Sequence, residues 1–199
     1  MRQDGPVAVL VIQADLRLGR RLARVMARQA DVRIATWADD AWEARLAIVE
    51  QHPDVLLLDV GLSGWLGLLR SLRQYYPVPV IACGSNEPRS RTNVLQAVAR
   101  GAMDFVIRPA SDDLVAWQKL AGDLREKVLI AAREFRPVPA ARLAAWRVKS
   151  FAESGLNPRR YVIGVGASTG GPEALRTLLA NAPADFPPVV VVQHMPAAF

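Results

Sequence analysis

The chain has 199 residues, 51% of them hydrophobic, enough for one large domain or one ordinary domain with part of another. No run approaches the ~18 apolar residues of a membrane span, the N-terminus lacks the apolar stretch and cleavage site of a secretory signal, and the single Cys83 excludes an intrachain disulfide, so a cytoplasmic protein is expected. The net charge of +6 is local, at +2 over residues 1–112, +5 over 113–160 and −1 over 161–199, which excludes an electrostatic footprint for nucleic acid on either flank.

Over the first ~110 residues short apolar runs alternate with amphipathic ones, the signature of a doubly wound α/β sheet. Strands are predicted at Val7–Ile12, Val32–Ala35, Val55–Asp59, Val78–Cys83 and Met103–Ile107. Helices fall between them at Leu16–Ala30, Asp39–Gln51, Leu66–Tyr75 and Arg89–Ala99. In the first helix Leu18, Leu22, Val25 and Met26 share one face while five arginines cover the others. Val55-Leu56-Leu57-Leu58 is apolar throughout, as a parallel strand buried on both faces must be. Five β–α units of this length predict a flavodoxin-like sheet of order 2-1-3-4-5. Its functional crevice lies at the carboxyl ends of the strands, among Gln13-Ala14-Asp15, Asp59, Gly84-Ser85 and Arg108-Pro109. Cys83 reads as a buried strand thiol, and His52, before Pro53 at a helix end, as structural.

A further helix is expected from a cap at Ser111, with Leu114, Trp117, Leu120, Leu124, Val128 and Ala131 at helical spacing, until Arg136-Pro137-Val138-Pro139 breaks it. A basic linker follows from Arg142 to Arg160, with no helix-turn-helix pattern to suggest a transcription factor. From Tyr161 the composition changes. Tyr161–Val165 reads as a strand, Gly166–Gly171 as a tight turn, Pro172–Ala180 as a helix and Val189–Gln193 as a second buried strand, together one βαβ unit. The expected division is therefore 6–112, a receiver-like domain; 113–160, a long helix and linker; and 161–199, an incomplete second domain.

Asp59-Val60-Gly61-Leu62-Ser63-Gly64-Trp65-Leu66-Gly67, with Gly101-Ala102-Met103-Asp104-Phe105-Val106-Ile107-Arg108-Pro109, resembles the phosphate-receiver domains of two-component signalling. The resemblance implies an aspartyl phospho-acceptor at Asp59, Mg²⁺ held by an acidic pair after the first strand, a Ser/Thr after the fourth and a lysine after the fifth. Phosphoryl transfer to a carboxylate is mostly positioning and charge neutralisation, which is why those parts are needed. Here the acidic pair is replaced by Gln13 and Ala14, the Ser/Thr by Gly84 and the lysine by Arg108. A guanidinium keeps the charge without the compact ammonium. Weak or absent Mg²⁺ binding is therefore expected, with the domain serving as a docking or gating surface and no confident metal site.

Gly166-Ala167-Ser168-Thr169-Gly170 fits G-x-S-x-G, a strand–turn–helix arrangement that raises a serine hydroxyl above a sheet. His194 follows the second strand and, in a right-handed βαβ unit, emerges at the same carboxyl edge, where an imidazole can activate a hydroxyl. Thr169, Gly170 and Gly171 then form the turn and the helix N-terminus that would face an oxyanion. Gly164 through Leu175, Pro183-Ala184-Asp185-Phe186-Pro187 and Val190-Val191-Val192-Gln193-His194-Met195-Pro196 closely resemble the catalytic domain of chemotaxis protein-glutamate methylesterases, the CheB family. That resemblance implies a carboxylic ester hydrolase with Ser168 as nucleophile and His194 as base, and no cofactor for hydrolysis. It implies methylated chemoreceptor cytoplasmic domains as substrate, with glutamine deamidation as a second reaction, and a chemotaxis histidine kinase as partner, without nucleic acid or membrane insertion. The family's third triad member, an aspartate, falls beyond Phe199, and Glu173 and Asp185 are poor replacements, so the 199 residues alone are expected to be inactive or nearly so. Two other readings stay open: a phosphate-binding glycine turn, opposed by Gln193-His194 where an acidic ribose ligand belongs, and a non-catalytic pseudo-receiver interaction protein.

Overall fold

A computed structural model describes residues 5–135, 157–168, 171–180 and 182–194. In chain order the first part comprises β1 (Val7–Ile12), α1 (Leu16–Met26), β2 (Val32–Ala38), α2 (Ala41–Gln51), β3 (Val55–Asp59), α3 (Trp65–Tyr75), β4 (Val80–Ser85), α4 (Pro88–Ala99), β5 (Asp104–Arg108) and α5 (Leu114–Glu134). The five strands pair in parallel in the order β2-β1-β3-β4-β5, the flavodoxin-like arrangement expected from the alternating pattern.

Alternation along the strands decides which helices lie where. Leu10, Ile12, Leu56, Leu58 and Ala82 point to a core closed by α2, α3 and α4, with Leu68, Leu69 and Leu72 at its centre. Val9, Val11, Leu57, Ile81 and Cys83 point to the other face, under Leu22, Val25 and Met26 of α1. Each fully buried leucine contributes about 2 kcal/mol relative to an exposed one. Trp117, Leu120, Leu124 and Val128 of α5 fill that second core, so the helix expected to open the linker packs onto the sheet. Lys127 ties it down: its buried ammonium donates to the Phe105 carbonyl at 2.6 Å and pairs with Asp104 and Asp123 at 3.4 Å each.

Helix ends follow local chemistry. Asp15, Asp40 and Asp113 cap α1, α2 and α5 through carboxylates that accept free backbone N–H groups. The cap of α5 is thus Asp113, not Ser111, whose carbonyl instead accepts the Trp117 indole N–H at 3.0 Å. α1 stops at Met26, four residues before the expected Ala30. His52 closes α2 in the left-handed region at φ 45, a structural position as expected.

The second part holds a 3₁₀ turn at Pro158–Arg160, β6 (Ile163–Ala167), α6 (Gly171–Ala180) and β7 (Val189–Gln193). β6 and β7 pair in parallel from Ile163↔Val189 to Ala167↔Gln193, the expected βαβ unit. The expectation of a buried β7 is not met: Val190 and Val192 are 58% and 70% exposed. Two strands and one helix cannot cover both faces of a sheet, so among the described residues β7 presents open apolar surface. The linker residues 136–156 lie outside the described residues.

Candidate active site and receiver pocket

Asp59 ends β3 at the carboxyl edge of the larger sheet and is 4% exposed. Both of its oxygens are in use. Oδ1 accepts the Gly61 N–H at 2.7 Å, and Oδ2 accepts Arg108 Nη1 at 3.0 Å from the end of the adjoining β5. Gln13 stands buried after β1, and Ala14 beside it offers no ligand. Asp15, the nearest carboxylate in sequence, accepts Arg17 N–H and Leu18 N–H as the cap of α1. No cluster of three His, Cys, Asp or Glu residues exists among the described residues. Mg²⁺ takes hard oxygen ligands in octahedral geometry, usually carboxylates plus waters. One carboxylate already engaged by a guanidinium does not fit it.

The space around Gly84 is equally committed. A Cβ there would meet Val94 Cγ2 at 2.4 Å and Ser90 Oγ at 2.9 Å. Ser90 Oγ accepts the Ser85 N–H at 2.8 Å, and Asn93 Nδ2 donates to the Val60 carbonyl at 3.1 Å, so α4 holds both the β4 and β3 loops. Cys83 lies beneath, and burial, with the Asp59 charge adding to it, pushes its thiol up to about 12. Sequence reading found Asp59, Gln13, Ala14, Gly84 and Arg108 but not the ties from Ser90 and Asn93, which are ordinary helix residues in the sequence.

At the carboxyl edge of the smaller sheet the His194 N–H donates to the Ala167 carbonyl at 2.8 Å, extending the β6–β7 ladder by one rung. This sets Ser168 Oγ 3.5 Å from His194 Nδ1, both side chains exposed, at the outer limit of a hydrogen bond. Such contacts are often long without substrate and shorten when it binds. Nδ1 is the ring nitrogen that faces the hydroxyl, and it can accept the hydroxyl proton only in the tautomer protonated on Nε2. No carboxylate is hydrogen-bonded to His194 among the described residues. The Gly171 N–H donates to the Ser168 carbonyl at 2.7 Å, so it closes the turn instead of facing an oxyanion, because its one proton is already committed. Thr169 and Gly170 lie outside the described residues.

Gly171 is required sterically: a Cβ would lie 2.4 Å from Gln193 Oε1 and 2.7 Å from Ala167 Cβ. Gly164 and Gly166 have open space around them, so packing among the described residues does not demand them. In the sequence Gln193 stands out as the end of the second strand, as part of the motif around His194, and as the residue where a ribose ligand would belong, with no role of its own. In the structure its amide bonds both the Ser168 and His194 carbonyls.

The response regulator receiver domain family matches residues 9–117, and the CheB methylesterase family matches residues 163–199. A protein-glutamate methylesterase/protein-glutamine glutaminase of Syntrophotalea carbinolica is 36% identical over 97% of this chain and 56% of its own length. One so named in Xanthomonas euvesicatoria is 34% identical over 100% of this chain and 58% of its own. The chain thus spans about half the length of the curated relatives it matches. Among solved structures, the response regulator domain of Thermotoga maritima CheB superposes with a TM-score of 0.55 at 24% identity, covering 64% of this chain and 96% of that one. At that identity the likeness speaks for the fold.

Proposed function

Since the chain belongs to the CheB family of receiver-headed methylesterases, we propose that Ser168 and His194 hydrolyse glutamyl methyl esters on the cytoplasmic domains of chemoreceptors. The observation that carries this is the 3.5 Å approach of Ser168 Oγ to His194 Nδ1 where two parallel strands end together. His194 takes the hydroxyl proton as Oγ attacks the ester carbonyl. The resulting imidazolium returns that proton to the departing methoxide, releasing methanol and leaving a glutamyl ester on Ser168. Water, deprotonated by the same imidazole, then frees the glutamate and restores the serine. A glutamine side chain would follow the same course with ammonia as leaving group.

An acid on the outward imidazole nitrogen would hold the tautomer and stabilise the imidazolium. Its loss costs about 10⁴ in rate in serine hydrolases. A chain limited to these 199 residues is accordingly expected to turn over at a small fraction of the rate of a complete triad. Methanol release from methylated receptor tests the reading: a Ser168-dependent release supports it, and release unaffected by Ser168→Ala sinks it.

The receiver pocket favours a second proposal about control. With Arg108 neutralising Asp59, Asp15 used as a cap and the Gly84 space filled, the domain acts as a fixed docking or gating module and takes no phosphoryl group from a kinase. Labelling by an acyl phosphate with Mg²⁺ tests this: stoichiometric phosphorylation, lost in Asp59→Asn, would overturn it.

A further inference from the structure

The end of β7 holds a side chain that connects the two reactive residues through their backbones. Gln193 Nε2 donates one hydrogen to the Ser168 carbonyl at 3.0 Å and the other to the His194 carbonyl at 2.9 Å. Ser168 belongs to the turn after β6 and His194 to the end of β7, so one amide spans the gap that the reaction must bridge. The orientation of that amide is fixed by chemistry. Turned over, it would set Oε1 against two carbonyl oxygens, an acceptor facing acceptors. Instead Oε1 is buried against Gly171, without a hydrogen-bond partner among the described residues. A buried acceptor left unsatisfied in this way calls for an explanation, and the two donated bonds on the other side of the amide supply one.

The neighbouring bonds make the arrangement stiff. The Ser168 carbonyl accepts both Gln193 Nε2 and the Gly171 N–H, and His194 is held on its other side by its own N–H to Ala167. Gly171 has no Cβ because Gln193 Oε1 occupies that space. We infer that Gln193 is a positioning residue of the hydrolytic site, clamping the Ser168 and His194 backbones so that hydroxyl and imidazole stay within reach of each other. The inference rests on the reading of Ser168 as nucleophile and His194 as base. Gln193 itself touches no reacting atom. It acts by limiting how far the two loops separate, and a misplacement of about 1 Å can cost on the order of 100-fold in rate.

The test follows labelling of Ser168 by an alkyl fluorophosphonate in the full-length protein, read by intact mass as a function of pH. In that reaction the Oγ–P bond forms, fluoride leaves and the hydroxyl proton passes to His194. Gln193→Met keeps the length and removes both donors. The maximal labelling rate is expected to fall about 10- to 100-fold with half-saturation unchanged, and its dependence on pH to flatten. Gln193→Glu, which replaces the donating NH₂ by an oxygen facing the same carbonyls, should do the same and serves if the Met variant loses its cooperative melt. Gly171→Ala, which pushes on Oε1 from the opposite side, should lower the rate too, and Gln193→Met should add little to it. A folded Gln193→Met or Gln193→Glu protein with the wild-type rate and pH profile, while Ser168→Ala stays unlabelled, overturns the clamp and leaves the nucleophile standing. Wild-type protein that is not labelled at Ser168 overturns both.

Discussion

Two strand edges in this molecule were built on the same rule and have opposite characters. At the carboxyl end of the five-stranded sheet, Asp59 is buried with both oxygens bonded, the Gly84 space is filled by Val94 and Ser90, and Asp15 is spent on a helix cap. At the carboxyl end of the two-stranded sheet, Ser168 and His194 are exposed, 3.5 Å apart, and held through bonds to their backbones. Position in the fold therefore tells where chemistry could occur, and the bonding of the individual groups tells whether anything is left to react. At the first edge the carboxylates of Asp59 and Asp15 are already bonded within the protein. The second keeps a hydroxyl and an imidazole open to a substrate.

The largest effect expected from this contrast is at the open edge. Ser168→Ala should lower ester hydrolysis by at least about 10⁴ in a full-length protein, measured as methanol release, while leaving the thermal midpoint almost unchanged because the side chain is exposed. At the closed edge, stability should respond instead of activity. Arg108→Ala strands a buried carboxylate and should cost about 3 kcal/mol in denaturant unfolding at neutral pH. Arg108→Lys should lose less, since an ammonium can still pair with Asp59. A smaller loss should follow from restoring the hydroxyl that the receiver family carries: Gly84→Thr forces a Cβ into Val94 and should cost about 1–3 kcal/mol by overpacking, relieved in part by Val94→Ala. If Gly84→Thr were neutral, the pocket would be looser than described.

The smallest effect concerns Cys83. With its thiol pushed up to about 12 by burial, it should stay silent to disulfide reagents near neutral pH in the folded protein and react fully once denaturant is added. The folded pKa is raised above the unfolded one. The stabilising contribution is therefore whole below the ordinary thiol value and declines as pH rises through it toward about 12. A thiol that reacts in the native protein would show that β4 opens locally.

Much of this was legible before any coordinates, for reasons that differ by element. Val55–Asp59 is recognisable because a strand covered on both faces must be apolar throughout, and its boundaries agree with the expectation to the residue. β2 runs three residues past the expected Ala35 because Thr36, Trp37 and Ala38 continue to pair with Leu10, Val11 and Ile12 after a register shift. β4 lies later than expected, at Val80–Ser85, because Ser85 pairs with Arg108 of β5, a partner the local pattern of Val78–Cys83 cannot reveal. The periodicity of α5 is plain, yet nothing in it says that the apolar face of Trp117, Leu120, Leu124 and Val128 belongs to the core shared with α1 and not to a linker.

The site divides the same way. Ser168, His194 and Asp59 stand out because their side chains carry recognisable chemistry at strand ends. The Arg108–Asp59 pair and the bond from the Gln193 amide to Ser168 join residues on different strands and their loops, and depend on the register of one strand against the next. The filling of the Gly84 space by Val94 depends on how α4 packs back on β4.

The measurement that bears most directly on the contrast between the two edges is methanol release from methylated receptor by the full-length protein, with and without an acyl phosphate and Mg²⁺. The account predicts a Ser168-dependent rate that the phosphate donor leaves unchanged. A rate that rises with the donor, and loses that rise in Asp59→Asn, would contradict it by showing that the closed edge still switches the open one.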